Sequence, residues 1–368
     1  MAAKSGPLHG LRVIEMAAIG PGPFCGMMLA DLGADVVRID RPGASRLGAN
    51  ATLDRGRQAL TLDLKDPRNV ETLLGLVERA DVIFEGFRPR VMERIGLGPE
   101  VCLARNPRLI FGRITGWGQE GPLAQAAGHD INYLALSGML WPLGSADRPP
   151  APPLNLVADF GGGGMLLVVG ILAALFEARR SGRGQVVDAA MVDGAATLGA
   201  MIFGMIGEGS WRVEREANML DGGAPFYSVY ETSDGKWVSI GSIEPQFYAQ
   251  LLTRLNLDGQ GFEAQWDRSR WPALRQAIAA AFRAKSRDAW SAALEGTDVC
   301  FAPVLSPLEV GAHPHNRLRS TFADGAGAPQ PQPSPRFSRT PAAAGSATEA
   351  GDADAATILD RWKSESSA

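Results

Sequence analysis

The chain has 368 residues, 45% hydrophobic and 21% charged, a composition that fits a folded globular protein with room for more than one domain. Its formal net charge of −4 excludes a general nucleic-acid binder, which needs excess positive charge to displace counterions. A local cationic pocket for a phosphorylated small molecule stays compatible with that charge.

In chain order, "LRVIEMA" (11–17) reads as a buried strand, 22–33 as a helix and "DVVRID" (35–40) as a strand. "LTLDL" (60–64) is the next strand, 67–79 a helix, and "DVIFEG" (81–86) and "RLIFGRITG" (108–116) are further strands. This alternation predicts an α/β domain with a mostly parallel sheet covered by helices. "FGGGGMLLVVGILAALF" (160–176) is apolar throughout but short for a membrane span. It reads as a buried core helix, with Arg179 and Arg180 suited to its end and Gly182 able to stop it. An apolar helical stretch at 190–208 and a polar connector follow. "PFYSVYETSDGKWVSIGS" (225–242) reads as a β-hairpin around Asp234-Gly235. Helices at 244–256 and 271–296 and a strand in "VCFAPVLS" (299–306) complete a smaller α+β domain. Residues 327–345 are Pro-rich and extended, and a last helix around 351–364 is expected to pack back on the large domain. The expected organisation is a large domain at 1–188, a helical linker at 189–224, a small domain at 225–312, a return linker at 313–345 and a C-terminal segment at 346–368.

Cys25, Cys102 and Cys300 are odd in number and far apart, so neither a disulfide framework nor a zinc knuckle is indicated and a cytoplasmic protein is expected. "MAAKSGPLHG" lacks the apolar core of a signal peptide, and "SESSA" is not a peroxisomal tripeptide.

"IGPGPFCG" (19–26) imitates a dinucleotide-binding loop, with Asp40 ending the second strand. Pro21 and Pro23 lack the N–H groups such a loop offers to a pyrophosphate, and the glycine spacing is wrong. A tight strand-to-helix turn is the better reading.

Three segments bear on chemistry. In "GHDINYLALSG" (128–138), His129 lies at the start of a helix that buries Ile131, Leu134, Ala135 and Gly138. It reads either as a structural histidine or as a base with oxyanion donors beside it, notably the N–H of Asp130. No second histidine or cysteine stands at metal-ligand spacing. In "LNLVADFGGGG" (154–164), Asp159 reads as the N-cap of the apolar helix. Four glycines in a first helical turn cost stability, about 1 kcal/mol each against alanine. They are useful where a bulky ligand approaches the backbone, so Asp159 could stand at the floor of a cleft. In "SIGSIEPQFY" (239–248), Glu244 precedes a proline-started helix. It reads as a cap or as a carboxylate that orients a histidine of another domain.

These segments resemble the α-methylacyl-CoA racemases of the family III CoA-transferase superfamily. The resemblance runs from "GPLHGLRVIEMAAIGPGPFCGMMLADLGADVVRIDRPG" through "RGRQALTLDLKDP", "ADVIFEGFRPRVMERIGLGPE", "NPRLIFGRITGWGQEGPLAQAAGHDINYLALSG" and "PPLNLVADFGGGGM" to "GQVVDAAMVDGAA". It implies a Rossmann-like large domain with a smaller domain, in an interlocked homodimer whose active sites lie between the large domain of one chain and the small domain of the other. It implies His129 and Asp159 as the acid/base pair, with Glu244 of the partner chain on His129. CoA is expected on Arg41, Leu62, Asp63, Leu64, Lys65, Gly86, Phe87, Arg88, Arg94, Gly128, Ile131, Asn132 and Tyr133. Arginine and lysine suit the phosphate oxygens of CoA.

The implied reaction is 1,1-proton transfer at the α-carbon of a 2-methylacyl-CoA thioester. The Asp130 N–H would serve the enolate oxygen, with no cofactor or metal beyond the CoA of the substrate, and no nucleic-acid or membrane partner. Met139, Met165 and Met191 are candidates for an adaptable acyl path. One alternative is a CoA-transferase using Asp159 as nucleophile, in which the position of His129 is usually not histidine. Another is a nucleotide-binding protein without chemistry.

Overall fold

Six short strands organise the first 190 residues of the chain. The computed structural model describes residues 5–43, 50–325, 327–345 and 354–364. Residues 1–4, 346–353 and 365–368, on which parts of the targeting-signal and C-terminal readings fall, lie outside the described residues. By contacts the chain divides into two units. The first comprises Met1–Met139, Pro152–Ala200 and Gln330–Ala368; the second comprises Leu140–Ala151 and Met201–Pro329.

In the first unit β1 (Arg12–Met16) leads to α1 (Pro21–Asp31), β2 (Asp35–Asp40), α2 (Ala51–Asp54), β3 (Arg57–Thr61), α3 (Pro67–Val77) and β4 (Val82–Glu85). Then come α4 (Val91–Arg94), α5 (Pro99–Arg105), β5 (Ile110–Thr115), α6 (Asp130–Leu136), a π-helix (Leu156–Met165), α7 (Leu166–Ser181), β6 (Gln185–Ala190) and α8 (Met191–Leu198). The strands pair in parallel in the order β3-β2-β1-β4-β5-β6. The order reverses between β1 and β4, which opens a crevice at the C-terminal edge where such sheets bind ligands. β1, β2 and β4 are buried along nearly their whole length, as expected of strands covered on both faces.

The β3 strand lies three residues before the expected 60–64, because its first residues, Arg57 and Gln58, are polar. Arg57 is buried, and its Nη1 donates to both carboxylate oxygens of buried Glu15 on β1 at 2.7 Å. β6 was not expected as a strand. It is an edge strand with an exposed, mixed pattern, so periodicity gives it no signal.

The apolar segment 160–176 is not a wholly buried helix. The π-helix and α7 run continuously over Leu156–Ser181, long and apolar enough to cross a membrane by length and composition. One face is core, formed by Leu167, Val168, Ile171, Ala174 and Ala178. Another stays uncovered within the chain, with Met165, Val169 and Phe176 at 47%, 59% and 77% exposure.

The first unit also takes in 189–200 and 330–345, read from sequence as linkers. α8 packs against the π-helix, with the backbone of Gly194 on that of Gly162. Arg55 Nη1 donates to the Pro331 carbonyl at 2.7 Å, and Gly345 lies against Gly56. The helix Ala355–Ser364 buries Ile358 and Trp362 in the core containing Leu73, Leu76 and Ile83. Trp362 Nε1 donates to Asp35 at 2.7 Å.

The second unit holds Leu140–Ala151, which the sequence reading gave to the large domain. Trp141 Nε1 donates to the Val213 carbonyl at 2.9 Å and Arg215 to the Leu143 carbonyl at 2.8 Å. An antiparallel sheet of Tyr227–Glu231, Trp237–Gly241 and Phe301–Pro303 turns at Gly235, whose φ is 69°. The helices Pro245–Arg254, Trp271–Phe282 and Arg287–Leu294 pack on it around Phe226, Ile278 and Phe282. The run 271–296 is two helices because Ser286 caps a new one, accepting from the Ala289 N–H.

Candidate active site

α6 begins after β5 and an intervening loop. Gly116 and Gly128 leave room for the ring of Tyr133, which meets Trp117 edge-on at 4.8 Å and donates its hydroxyl to the Gly128 carbonyl. This fixes the start of α6 near the C-terminal end of β5. His129 is the N-cap residue, in extended conformation and exposed. Its N–H donates to Asn132 Oδ1 at 3.0 Å and its carbonyl accepts from the Asn132 N–H at 2.8 Å. The imidazole is therefore held by its backbone at a helix start, not sunk in the core.

Asp159 is not an N-cap. The helix starts earlier, with Asn155 in the cap position, and Asp159 lies in the first turn of the π-helix. The Phe160 N–H donates to the Asn155 carbonyl at 3.3 Å, an i→i+5 bond. Phe160 stacks on Phe24 of α1 with ring centres 4.4 Å apart, which seats this turn over the C-terminal end of β1. There the Asp159 carboxylate faces Gly20. A Cβ at Gly20 would lie 3.1 Å from its Oδ2, and Gly20 has φ 67° and ψ −111°, a conformation open to glycine. The loop set aside as a dinucleotide motif thus flanks the candidate carboxylate.

Three of the four glycines that follow Phe160 serve packing. A Cβ at Gly162 would strike the backbone of Gly194 and Ala195, at Gly163 the Met191 side chain, and at Gly164 the Phe24 ring and the Pro21 carbonyl. They let the π-helix lie against α8 and the start of α1.

Asp130 joins the two segments. It is 5% exposed, and its Oδ2 accepts the N–H groups of Ala158 at 2.8 Å and Asp159 at 2.7 Å. Burial first, and then the charge of Asp130, push the Asp159 carboxyl up to about 6, against the lowering pull of an Asn155 hydrogen bond and of His129. Burial and the Asp159 charge push the Tyr133 hydroxyl up to about 12. His129, Asp130, Tyr133 and Asp159 thus form one electrostatic neighbourhood. Asn155 and the Asp130 carboxylate were not found by sequence reasoning, and Gly20 was read only as part of a tight turn at 19–26.

Arg41 follows β2; Leu62, Asp63, Leu64 and Lys65 follow β3; Gly86, Phe87 and Arg88 follow β4. All stand at the C-terminal edge of one sheet. Gly86 closes on Ala18 across the β1–β4 crevice, where an added Cβ would lie 3.3 Å from the Ala18 methyl. The Phe87 N–H donates to buried Glu85 at 2.7 Å; burial, ahead of that bond, pushes the Glu85 carboxyl up to about 7. Arg94 ends α4, and Ile131 and Asn132 are exposed in the first turn of α6. Arg41, Lys65, Arg88 and Arg94 are exposed, and the Lys65 backbone N–H donates to the Asp63 carboxylate at 3.1 Å. Leu62 is buried and could contribute only backbone. Glu244 belongs to the second unit. It precedes the helix Pro245–Arg254 with an exposed side chain that makes no cap hydrogen bond. No group of three or more His, Cys, Asp or Glu is placed so that it could hold a metal ion among the described residues.

The chain is 49% identical to the alpha-methylacyl-CoA racemase of Mus musculus, covering 91% of this chain and 87% of that one. It is 47% identical to the protein of the same name from Homo sapiens, covering 86% and 82%. A succinyl-CoA–D-citramalate CoA-transferase of Chloroflexus aurantiacus is 35% identical, covering 67% of this chain and 64% of that one. Among solved structures, a CAIB/BAIF family protein from Brucella suis superposes with a TM-score of 0.83 at 27% identity, covering 98% of this chain and all of the other. The profile of CoA-transferase family III matches residues 8–349, and the chain belongs to that family.

Proposed function

We propose that this chain interconverts (R)- and (S)-2-methylacyl-CoA thioesters by 1,1-proton transfer through an enolate. The observation that carries the reading is geometric: the Asp130 carboxylate ties the Asp159 turn to the start of the helix capped by His129, at the C-terminal edge of a parallel sheet, and burial there pushes the Asp159 carboxyl up to about 6. Such a carboxyl exchanges protons near neutrality, as an acid/base group must. The relatives named alpha-methylacyl-CoA racemase, at 47–49% identity, support the same assignment.

In one direction Asp159 removes the α-proton and protonated His129 delivers one to the opposite face; in the other direction the roles exchange. The thioester acidifies the α-carbon, and the N–H of Asp130 stabilises the enolate oxygen. Loss of such a donor slows a reaction by about 10²–10³-fold. The phosphates of CoA lie on Arg41, Lys65, Arg88 and Arg94, with the remaining expected contacts from the strand-end loops and α6. No cofactor is needed beyond the substrate's own CoA. The enzyme works as a homodimer in a reducing cytoplasm. A second copy covers the apolar face of Met165, Val169 and Phe176, and the partner chain's small domain brings Glu244 to His129.

The test is solvent deuterium exchange at the α-carbon of single-enantiomer 2-methylacyl-CoA, followed by chiral analysis. Exchange with racemisation and no added acid is expected. His129→Ala should lower kcat by at least about 10²-fold while the protein stays folded; full activity in that variant refutes the assignment. The second reading, CoA transfer through an acyl anhydride on Asp159, is favoured by the 35% identical CoA-transferase. Movement of CoA to an added carboxylic acid, without exchange in its absence, would select it.

A further inference from the structure

We infer that Asp130 is a positioning residue whose carboxylate locks the Asp159 segment to the start of the His129 helix. The inference rests on the racemase reading and concerns the side chain, where that reading uses only the backbone N–H.

Asp130 follows His129 directly and is the first residue of α6. Its Oδ2 reaches 28 and 29 positions along the chain to accept the Ala158 and Asp159 N–H groups. Those amides lie in the first turn of the π-helix, where N–H groups lack intrahelical partners. The Asn155 side chain, which stands in the cap position, makes no cap hydrogen bond. A side chain from α6 therefore does the capping, and each shift of α6 is passed to the Asp159 backbone. Charge-assisted bonds of this kind are stronger than neutral ones, and the two amides fix direction as well as distance. The other oxygen, Oδ1, is buried and has no hydrogen-bond partner among the described residues. The buried carboxylate disfavours a second negative charge on Asp159.

Two variants separate the bonds from the charge. Asp130→Asn keeps an oxygen for the two N–H groups and removes the charge. Asp130→Ala removes both. Asp130→Ala should lower kcat by about 10²-fold with little change in KM, as expected when a reacting group is misplaced by about 1 Å. Asp130→Asn should recover most of that kcat. It should also move to lower pH the acid limb seen in the direction in which Asp159 takes the proton. Wild-type kcat in both variants, or an unmoved acid limb in Asp130→Asn, overturns the inference. If Asp130→Asn does not fold, amide hydrogen exchange of the wild-type protein across residues 156–162 decides. Protection of Ala158 and Asp159 supports the cap; exchange at the free rate overturns it. Failure of the racemase reading is recognised separately, as absence of α-proton exchange in the wild-type enzyme.

Discussion

At the scale of single residues, Asp159 is held between opposed influences. Burial and Asp130 favour its neutral form, while Asn155 and His129 favour its charge. The sign of the resulting pH dependence follows. Where Asp159 is the base it must be ionised, so activity in that direction falls as pH drops through about 6. Where it is the acid, His129 is the neutral base, and this state holds the same single proton as the first, so acid that protonates both groups removes it as well. Rate profiles measured from each pure enantiomer should therefore share one shape, with the acid limb near 6 in both. Gly20 supplies a second prediction. Gly20→Ala adds a methyl beside the carboxylate, in a backbone conformation that costs about 1–3 kcal/mol for other residues. The expected result is a loss of kcat of about tenfold or more together with a lowered melting temperature, read by kinetics and calorimetry on one preparation. His129, Asp159 and the N–H of Asp130 could be singled out in the sequence because their neighbours mark helix starts. The part played by Gly20 and by the Asp130 carboxylate could not, because it arises only when segments distant in the chain meet.

At the scale of elements, the π-helix is the feature that sequence patterns concealed. Its glycines look like a weak helix start, whereas Gly162, Gly163 and Gly164 serve close packing. A Cβ at Gly194 would lie 1.8 Å from the Gly162 carbonyl oxygen. The neighbour is backbone and cannot turn away, so Gly194→Ala should cost at least about 1–3 kcal/mol, measured by urea unfolding. Apolar strands β1, β2, β4 and β5 were legible because burial on both faces writes itself as uninterrupted hydrophobicity. β3 was displaced in the reading because a buried ion pair hides a strand start behind an arginine. β6 was missed because an edge strand need not be apolar. Arg57→Met should be strongly destabilising, by about 3–5 kcal/mol, since it strands Glu15 as an uncompensated buried carboxylate.

At the scale of the whole molecule, the uncovered side of α7 and the proposed homodimer are one question. Val169→Asp with Phe176→Glu places two charges on a face that a second copy would desolvate. Sedimentation should show dissociation to monomers at micromolar concentration, with secondary structure unchanged by circular dichroism. A chain that is already monomeric in its native form would remove the dimer from the proposal. The first unit is discontinuous: its sheet comes from the front of the chain and its last core residues from the end. Trp362 is bonded to a residue 327 positions earlier. On the ribosome the six strands therefore emerge long before the tryptophan that seals them. A nascent chain halted ahead of residue 355 should expose the α3 flank, bind chaperones and be open to proteases, and it would become resistant only after release.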